Sequence, residues 1–214
     1  MHFNFTFSLP DGSEVGPQQW LECWSRLYPP KYDEPVYIYL VGKAAGMTES
    51  DFHVLGAWKD GALRKSDLER SGFDPGDVRF NGKWSPEAAS TAYETWMRAA
   101  KELSGRMTSG YPSDVAAFLT DWSKREAKSG TKAKRFGLSR ATTLLHFVSG
   151  GRYPIFDSRV RRAVKKLTRV TQVNSVDWYV NEFCQISREL AELCETVSDC
   201  RKLDKALFAY GGRD

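Results

Sequence analysis

Between residues 131 and 170 the chain carries eleven lysines and arginines and a single acid, Asp157. That segment has a net charge of +10 in a chain whose net charge is +4, so the remaining residues together carry −6. A solvated helix face normally mixes both signs, whereas a one-sided block on an otherwise acidic body is the footprint of a polyanion-binding face. Two local patterns sit inside the block. The stretch Lys134-Arg-Phe-Gly-Leu-Ser-Arg140 is a short Gly-containing turn feeding an apolar helix. The first-turn N–H groups of such a helix are free to hold a phosphate, and Arg140 stands where it can add charge to that grip. After a Ser-Gly-Gly loop comes Tyr153-Pro-Ile-Phe-Asp157-Ser-Arg-Val160, with Asp157 one position before the next helix starts. Capping is the commonest job for an aspartate at a helix start, and it is compatible with a chemical role for the carboxylate.

This order of a Gly turn, an apolar helix, a loop and an Asp-Ser-Arg-Val helix start resembles the helix-hairpin-helix, Gly-Pro-Asp superfamily of DNA glycosylases, which includes endonuclease III and the 8-oxoguanine glycosylases. The resemblance covers about 131–167, and the closing Arg201–Gly212 stretch is similar to the last helix of small bacterial proteins of this type. It implies a two-lobed, mainly helical fold, with Asp157 as the catalytic carboxylate. Breaking an N-glycosidic bond builds positive charge on the sugar, which an ionised Asp157 beneath the deoxyribose would stabilise while orienting water. Lys134, Arg135, Gly137, Ser139, Arg140, Arg159 and Arg162 are the implied DNA contacts. Two departures stand out. Only Gly137 remains of the usual hairpin glycine pair. Where bifunctional members place a lysine nucleophile, this chain has Ser139 beside Arg140, and a permanently protonated arginine is no amine nucleophile. The implied activity is therefore monofunctional base excision with water as the nucleophile, without lyase activity. The same departures support an alternative, a non-catalytic DNA-binding module on the same scaffold. The expected partner is double-stranded DNA bearing a damaged or modified base, met by a monomer, with no cofactor, no metal and no membrane. Repair and defence against modified phage DNA are both compatible roles.

A base must leave the stack to be processed, and its pocket needs aromatic walls. Trp58-Lys59, an aromatic beside a cation, is the candidate pairing, although a core Trp with a solvent-facing Lys fits the same dipeptide. His146, between Leu145 and Phe147, reads as a helix-packing histidine rather than a catalyst. His2 and His53 make no metal pattern with any cysteine or acid. The four cysteines lack the spacing of a zinc ribbon or an iron–sulfur loop and read as buried thiols. No phosphate-binding Walker loop, dinucleotide Gly pattern or nucleophile elbow is present.

The elements that must position these residues are mostly helices. The 214 residues, 41% apolar and 27% charged, describe a globular chain with a real core. No apolar run reaches the ~18 residues of a membrane span. The N-terminus lacks the pattern of a signal peptide, so a cytoplasmic location is expected. Phe3, Phe5 and Phe7 alternate with polar residues as in a short half-buried strand, followed by a Pro10-Asp11-Gly12 turn. Helices are expected at 17–28, from Thr48 to Lys59 with a Thr48/Asp51 capping box, from Pro86 to about Leu103, from Ser113 to about Lys128, at 139–148, after Asp157, and at about 175–196 and 199–210. Pro35–Ala45 fits either a strand or a helix. The loop at 70–84 separates an N-terminal lobe (1–84) from a helical lobe (85–214) that holds the hairpin and Asp157.

Overall fold

The computed structural model describes residues 3–28, 34–43, 46–59, 86–107, 112–129, 132–170, 175–196 and 200–212. The fold is mainly helical, as expected. The helices are α1 (Pro17–Arg26), α2 (Glu34–Lys43), α3 (Glu49–Lys59), α4 (Pro86–Met107) and α5 (Pro112–Lys124). An antiparallel hairpin follows, β1 (Glu126–Ser129) with β2 (Lys132–Arg135), and then come α6 (Gly137–Val148) and α7 (Ser158–Thr168). A helical turn α8 (Val176–Trp178) passes through a π-helical turn (Tyr179–Phe183) into α9 (Cys184–Leu193), and α10 (Cys200–Tyr210) closes the chain. No helix among the described residues is long and apolar enough to cross a membrane.

Contacts divide the chain into a central unit, Pro30–Tyr153, and a terminal unit made of Met1–Pro29 with Pro154–Asp214. The loop at 70–84 that marks the lobe boundary in the sequence lies outside the described residues.

In the central unit α6 is the helix around which α2, α3, α4 and α5 pack. Every residue from Ala141 to Ser149 is buried, so its polar groups must find partners within the protein. They do: the Thr142 and Thr143 hydroxyls donate to the Ser139 carbonyl at 3.2 and 2.7 Å, and Ser149 Oγ donates to the His146 carbonyl. Gly150 (φ +65°) and Gly151 (φ +85°) end the helix, their N–H groups donating to Phe147 and His146 carbonyls. That is the paired left-handed stop a Gly-Gly sequence allows. The ambiguous segment after Pro35 is helical as far as Lys43, with Val36, Tyr37 and Leu40 on its buried side. The α3 capping box forms as expected: Thr48 N–H donates to Asp51 Oδ2 at 2.6 Å, and Asp51 N–H donates to Thr48 Oγ1. Gly56 lets the Trp96 ring lie against α3, since a Cβ there would come within 2.9 Å of the indole.

In the terminal unit α10 packs against α1, α7 and α9. Trp20 and Trp24 meet Tyr210 edge-on, with centroids 5.5 and 5.0 Å apart, fastening the first helix to the last. The expected strand at Phe3–Phe7 does not form. Among the described residues of this segment the only sheet-like pairing is an isolated Ser8–Glu14 bridge. The alternation still gives the segment sides, with successive Phe rings 6.3 and 6.0 Å apart and Phe7 against Trp20. Its backbone bonds go elsewhere: Thr6 N–H donates to the Leu167 carbonyl at the end of α7. The cysteines also differ from expectation. Cys194 is buried, Cys23 and Cys184 are half-buried, and Cys200 is exposed because it opens α10 at the surface.

Candidate functional site

Asp157 is the N-cap of α7, in extended backbone, and its Oδ1 accepts both the Arg159 N–H (2.9 Å) and the Val160 N–H (3.0 Å). The first intrahelical bond follows, from Arg161 N–H to the Asp157 carbonyl. The Asp157 side chain is half-buried. Its mount is rigid for reasons the sequence does not display. Phe156, the preceding residue, is buried against Phe183 (4.6 Å), Trp178 (5.6 Å) and Tyr179 (5.7 Å). The Tyr179 hydroxyl donates to the Pro154 carbonyl at 2.8 Å. Tyr179 and Phe183 are the two ends of the π turn, a helical irregularity common at functional sites. Neither residue stood out in the sequence, where the Tyr-Pro-Ile-Phe lead was the only hint of a clamped loop.

Helix α7 is strongly two-faced. Val160, Ala163, Val164 and Leu167, at helical spacing, are its buried side. Arg159, Arg162 and Lys166 form a stripe turned toward α10. The Arg159 guanidinium lies 4.2 Å over the Phe208 ring, Arg162 Nε donates to the Gly211 carbonyl at 2.7 Å, and Lys166 Nζ stands 5.6 Å from the Tyr210 ring centre. The two α7 arginines expected to touch DNA therefore each have a structural partner within the terminal unit. The approach of the helices is close enough that a Cβ on Gly211 would sit 1.8 Å from the Arg159 carbonyl oxygen.

The other expected contacts belong to the central unit. The sequence expects a short turn at 131–137, and the structure places a two-stranded hairpin there that begins at Glu126. Lys134 pairs with Ala127 and Arg135 with Glu126 in its register. Phe136 anchors the hairpin to the core between Trp96 (5.0 Å) and Trp122 (5.5 Å). Gly137 then turns the chain into α6 at φ +77°, a conformation that suits glycine, with open space where a Cβ would be. The start of α6 has no side-chain cap, and Arg140 folds back so that a guanidinium N–H donates to the Phe136 carbonyl at 3.3 Å. Ser139 is half-buried.

Trp58 and Lys59 end α3. Trp58 is half-buried and meets Phe147 edge-on at 5.4 Å; its indole N–H has no hydrogen-bond partner among the described residues. His146 is the packing histidine expected. Its Nδ1 donates to the Tyr153 carbonyl (2.7 Å), leaving Nε2 to accept from the Tyr37 hydroxyl (2.8 Å). Among the described residues no three His, Cys, Asp or Glu side chains are grouped to hold a metal ion.

The site residues thus fall into two sets: Gly137, Ser139 and Arg140 at the start of α6, with β2 leading in and Trp58-Lys59 on the same unit, and Asp157, Arg159 and Arg162 on the terminal unit. Comparison with protein-family models, with curated proteins and with solved structures finds no match to this chain.

Proposed function

We propose that this chain excises a damaged or modified base from double-stranded DNA as a monofunctional glycosylase. The observation that carries the reading is Asp157: the one acid in a +10 segment, held at a helix start by two backbone bonds to one oxygen, on a loop clamped through Phe156 and Tyr179. A carboxylate fixed this way needs no reorganisation when positive charge develops on a deoxyribose, which is how a preorganised group lowers a barrier. The same carboxylate would orient the attacking water once the base is flipped from the stack. Ser139 and Arg140 offer no amine nucleophile, so the product would be an intact strand with an abasic site.

A second reading also has its observation. The two cap bonds account for an aspartate at position 157 with no chemistry at all, as in a DNA-binding module. Asp157→Asn separates the two, because asparagine caps a helix about as well as aspartate. Under the excision reading this variant folds, binds duplex at least as tightly as the wild type, and releases no base. Release by Asp157→Asn at the wild-type rate defeats the reading. A wild type that binds duplex yet releases no base of any kind hands the protein to the second reading.

A further inference from the structure

The hairpin that leads into α6 is a charged ribbon on a helical unit. Among its strand residues Lys128, Lys132, Lys134 and Arg135 are basic and Glu126 alone is acidic. Directly opposed residues of an antiparallel pair share a face, and alternate residues of a strand return to it. The register therefore places Glu126, Arg135, Lys128 and Ala133 on one face, and Ala127, Lys134, Ser129 and Lys132 on the other. Glu126 stands opposite Arg135, whereas the three lysines stand opposite Ala133, Ser129 and Ala127. The register thus sets no acid opposite any lysine, and both faces carry lysine. Among the described residues β1 packs along α4 as well as pairing with β2, while β2 packs comparably with no helix, so β2 is the outer strand. The root of the ribbon is positive too. Arg125 and Arg98 hold their guanidinium groups 4.4 and 5.7 Å from the centre of the buried Trp122 ring. Arg125 is also bridged to Glu102, but exposed Arg98 makes no ion pair among the described residues, although Glu94 lies one turn away on α4.

We propose that the β1–β2 ribbon enters the major groove of duplex DNA edge-on, β2 leading, with the lysines of its two faces toward the two bordering phosphate backbones. The inference rests on the DNA-binding half of the function proposed above and is independent of base excision. The dimensions fit: a sheet with its side chains is about 10 Å thick, and four strand residues extend about 13 Å. The major groove of B-form DNA is about 12 Å wide and admits a two-stranded ribbon, whereas the minor groove, about 6 Å wide, is too narrow. The major groove of duplex RNA is also too narrow and deep, which singles out DNA. A bland account exists, since lysines on an edge strand keep two copies of a chain from pairing edge to edge. Charge of either sign serves that purpose, and it gives no reason for lysine on both faces or for a bare arginine at the root.

The test has two arms, both on the full chain with an unmodified duplex. In the first, fluorescence anisotropy follows the salt dependence of binding for Lys132→Gln with Lys134→Gln. Arg26→Gln with Arg188→Gln, two exposed cations of the terminal unit, is the control of equal charge. Each lost phosphate contact lowers the slope of log K against log salt by about 0.9, so the ribbon variant should be shallower by about 2 and the control unchanged. An unchanged slope, or an equal change in the control, overturns the proposal; so does an unchanged slope with self-association, which assigns the lysines to edge protection. An equal loss on duplex RNA or on phosphatidylserine vesicles overturns it as well. The second arm needs no variant: dimethyl sulfate methylates guanine N7 in the major groove and adenine N3 in the minor groove. The saturated wild-type complex should protect guanine N7, and protection of adenine N3 alone, or of neither, overturns the proposal. Base release from a modified duplex is read separately on the wild type. Its failure beside normal guanine protection defeats only the excision reading, whereas a wild type with no duplex affinity defeats both.

Discussion

Replacing Gly211 by alanine tests the packing that aims α7. The new methyl carbon would lie 1.8 Å from the Arg159 carbonyl oxygen, 2.7 Å from its carbonyl carbon and 2.9 Å from the Ala163 nitrogen. All three are backbone atoms, so no side-chain rotation relieves the clash. The two helices must separate by more than an ångström. Overpacking of this kind costs about 1–3 kcal/mol. The separation also stretches the 2.7 Å bond from Arg162 Nε to the Gly211 carbonyl, a charged hydrogen bond worth about 1.5 kcal/mol or more. A loss of about 3 kcal/mol is expected, which for a chain of this length lowers the melting temperature by about 6–12 °C. Thermal and urea unfolding followed by circular dichroism measure it. Gly105→Ala is the control with opposite sign: it lies in α4 with nothing within 4 Å of an added Cβ, and should stabilise by about 0.5–1 kcal/mol. A Gly211→Ala protein within 0.5 kcal/mol of the wild type would refute the close α7–α10 contact.

Three further outcomes are expected. Asp157→Ala should cost about 1 kcal/mol in urea unfolding by removing both cap bonds, while Asp157→Asn should cost almost nothing; equal losses would mean that the cap is not what the carboxylate supplies. Tyr37→Phe removes the donor to buried His146 Nε2 and should destabilise by about 1–3 kcal/mol, with a neutral result contradicting the Nδ1–H tautomer and its Tyr37 bond. Asp51 is buried, and burial alone would raise its pKa. Hydrogen bonds from the Tyr39 hydroxyl and from the Thr48 N–H and hydroxyl, with the Lys43 charge, instead hold the carboxyl below its ordinary value. Its contribution to stability is then present above the unfolded carboxylate range near pH ~3.9 and lost as pH falls through the folded value. Asp51→Asn should flatten that acid limb in unfolding measured from pH 6 down to 2, and an unchanged limb would show that Asp51 does not generate it.

The features legible in the sequence are those that side chains impose on their own backbone. Thr48 with Asp51, Pro86, the Gly150-Gly151 stop and Asp157 each fix a helix end through a bond or a φ restriction a few residues long. What depends on distant partners was not legible. The Phe3–Phe7 alternation gives sidedness, but a strand needs a neighbour, and here the segment's backbone bonds to the end of α7. The hairpin strands Glu-Ala-Lys-Ser and Lys-Ala-Lys-Arg carry no β pattern; the hairpin is tied down just past β2 by Phe136 in the Trp96–Trp122 pair. Likewise, nothing in the order of the α7 cations tells which are taken up by α10, because Phe208, Tyr210 and Gly211 lie more than forty residues on.

The proposed base excision by Asp157, with water as nucleophile, is open to direct measurement. Its most direct test incubates the wild type and Asp157→Asn with end-labelled duplexes carrying uracil, alkylated, oxidised or glucosylated bases, and resolves the strands before and after hot alkali. Breaks are expected at one class of modified base with the wild type only, and only after alkali. Breaks without alkali would contradict the absence of an amine nucleophile at Ser139. No breaks on any duplex, or equal breaks with Asp157→Asn, would contradict excision by Asp157.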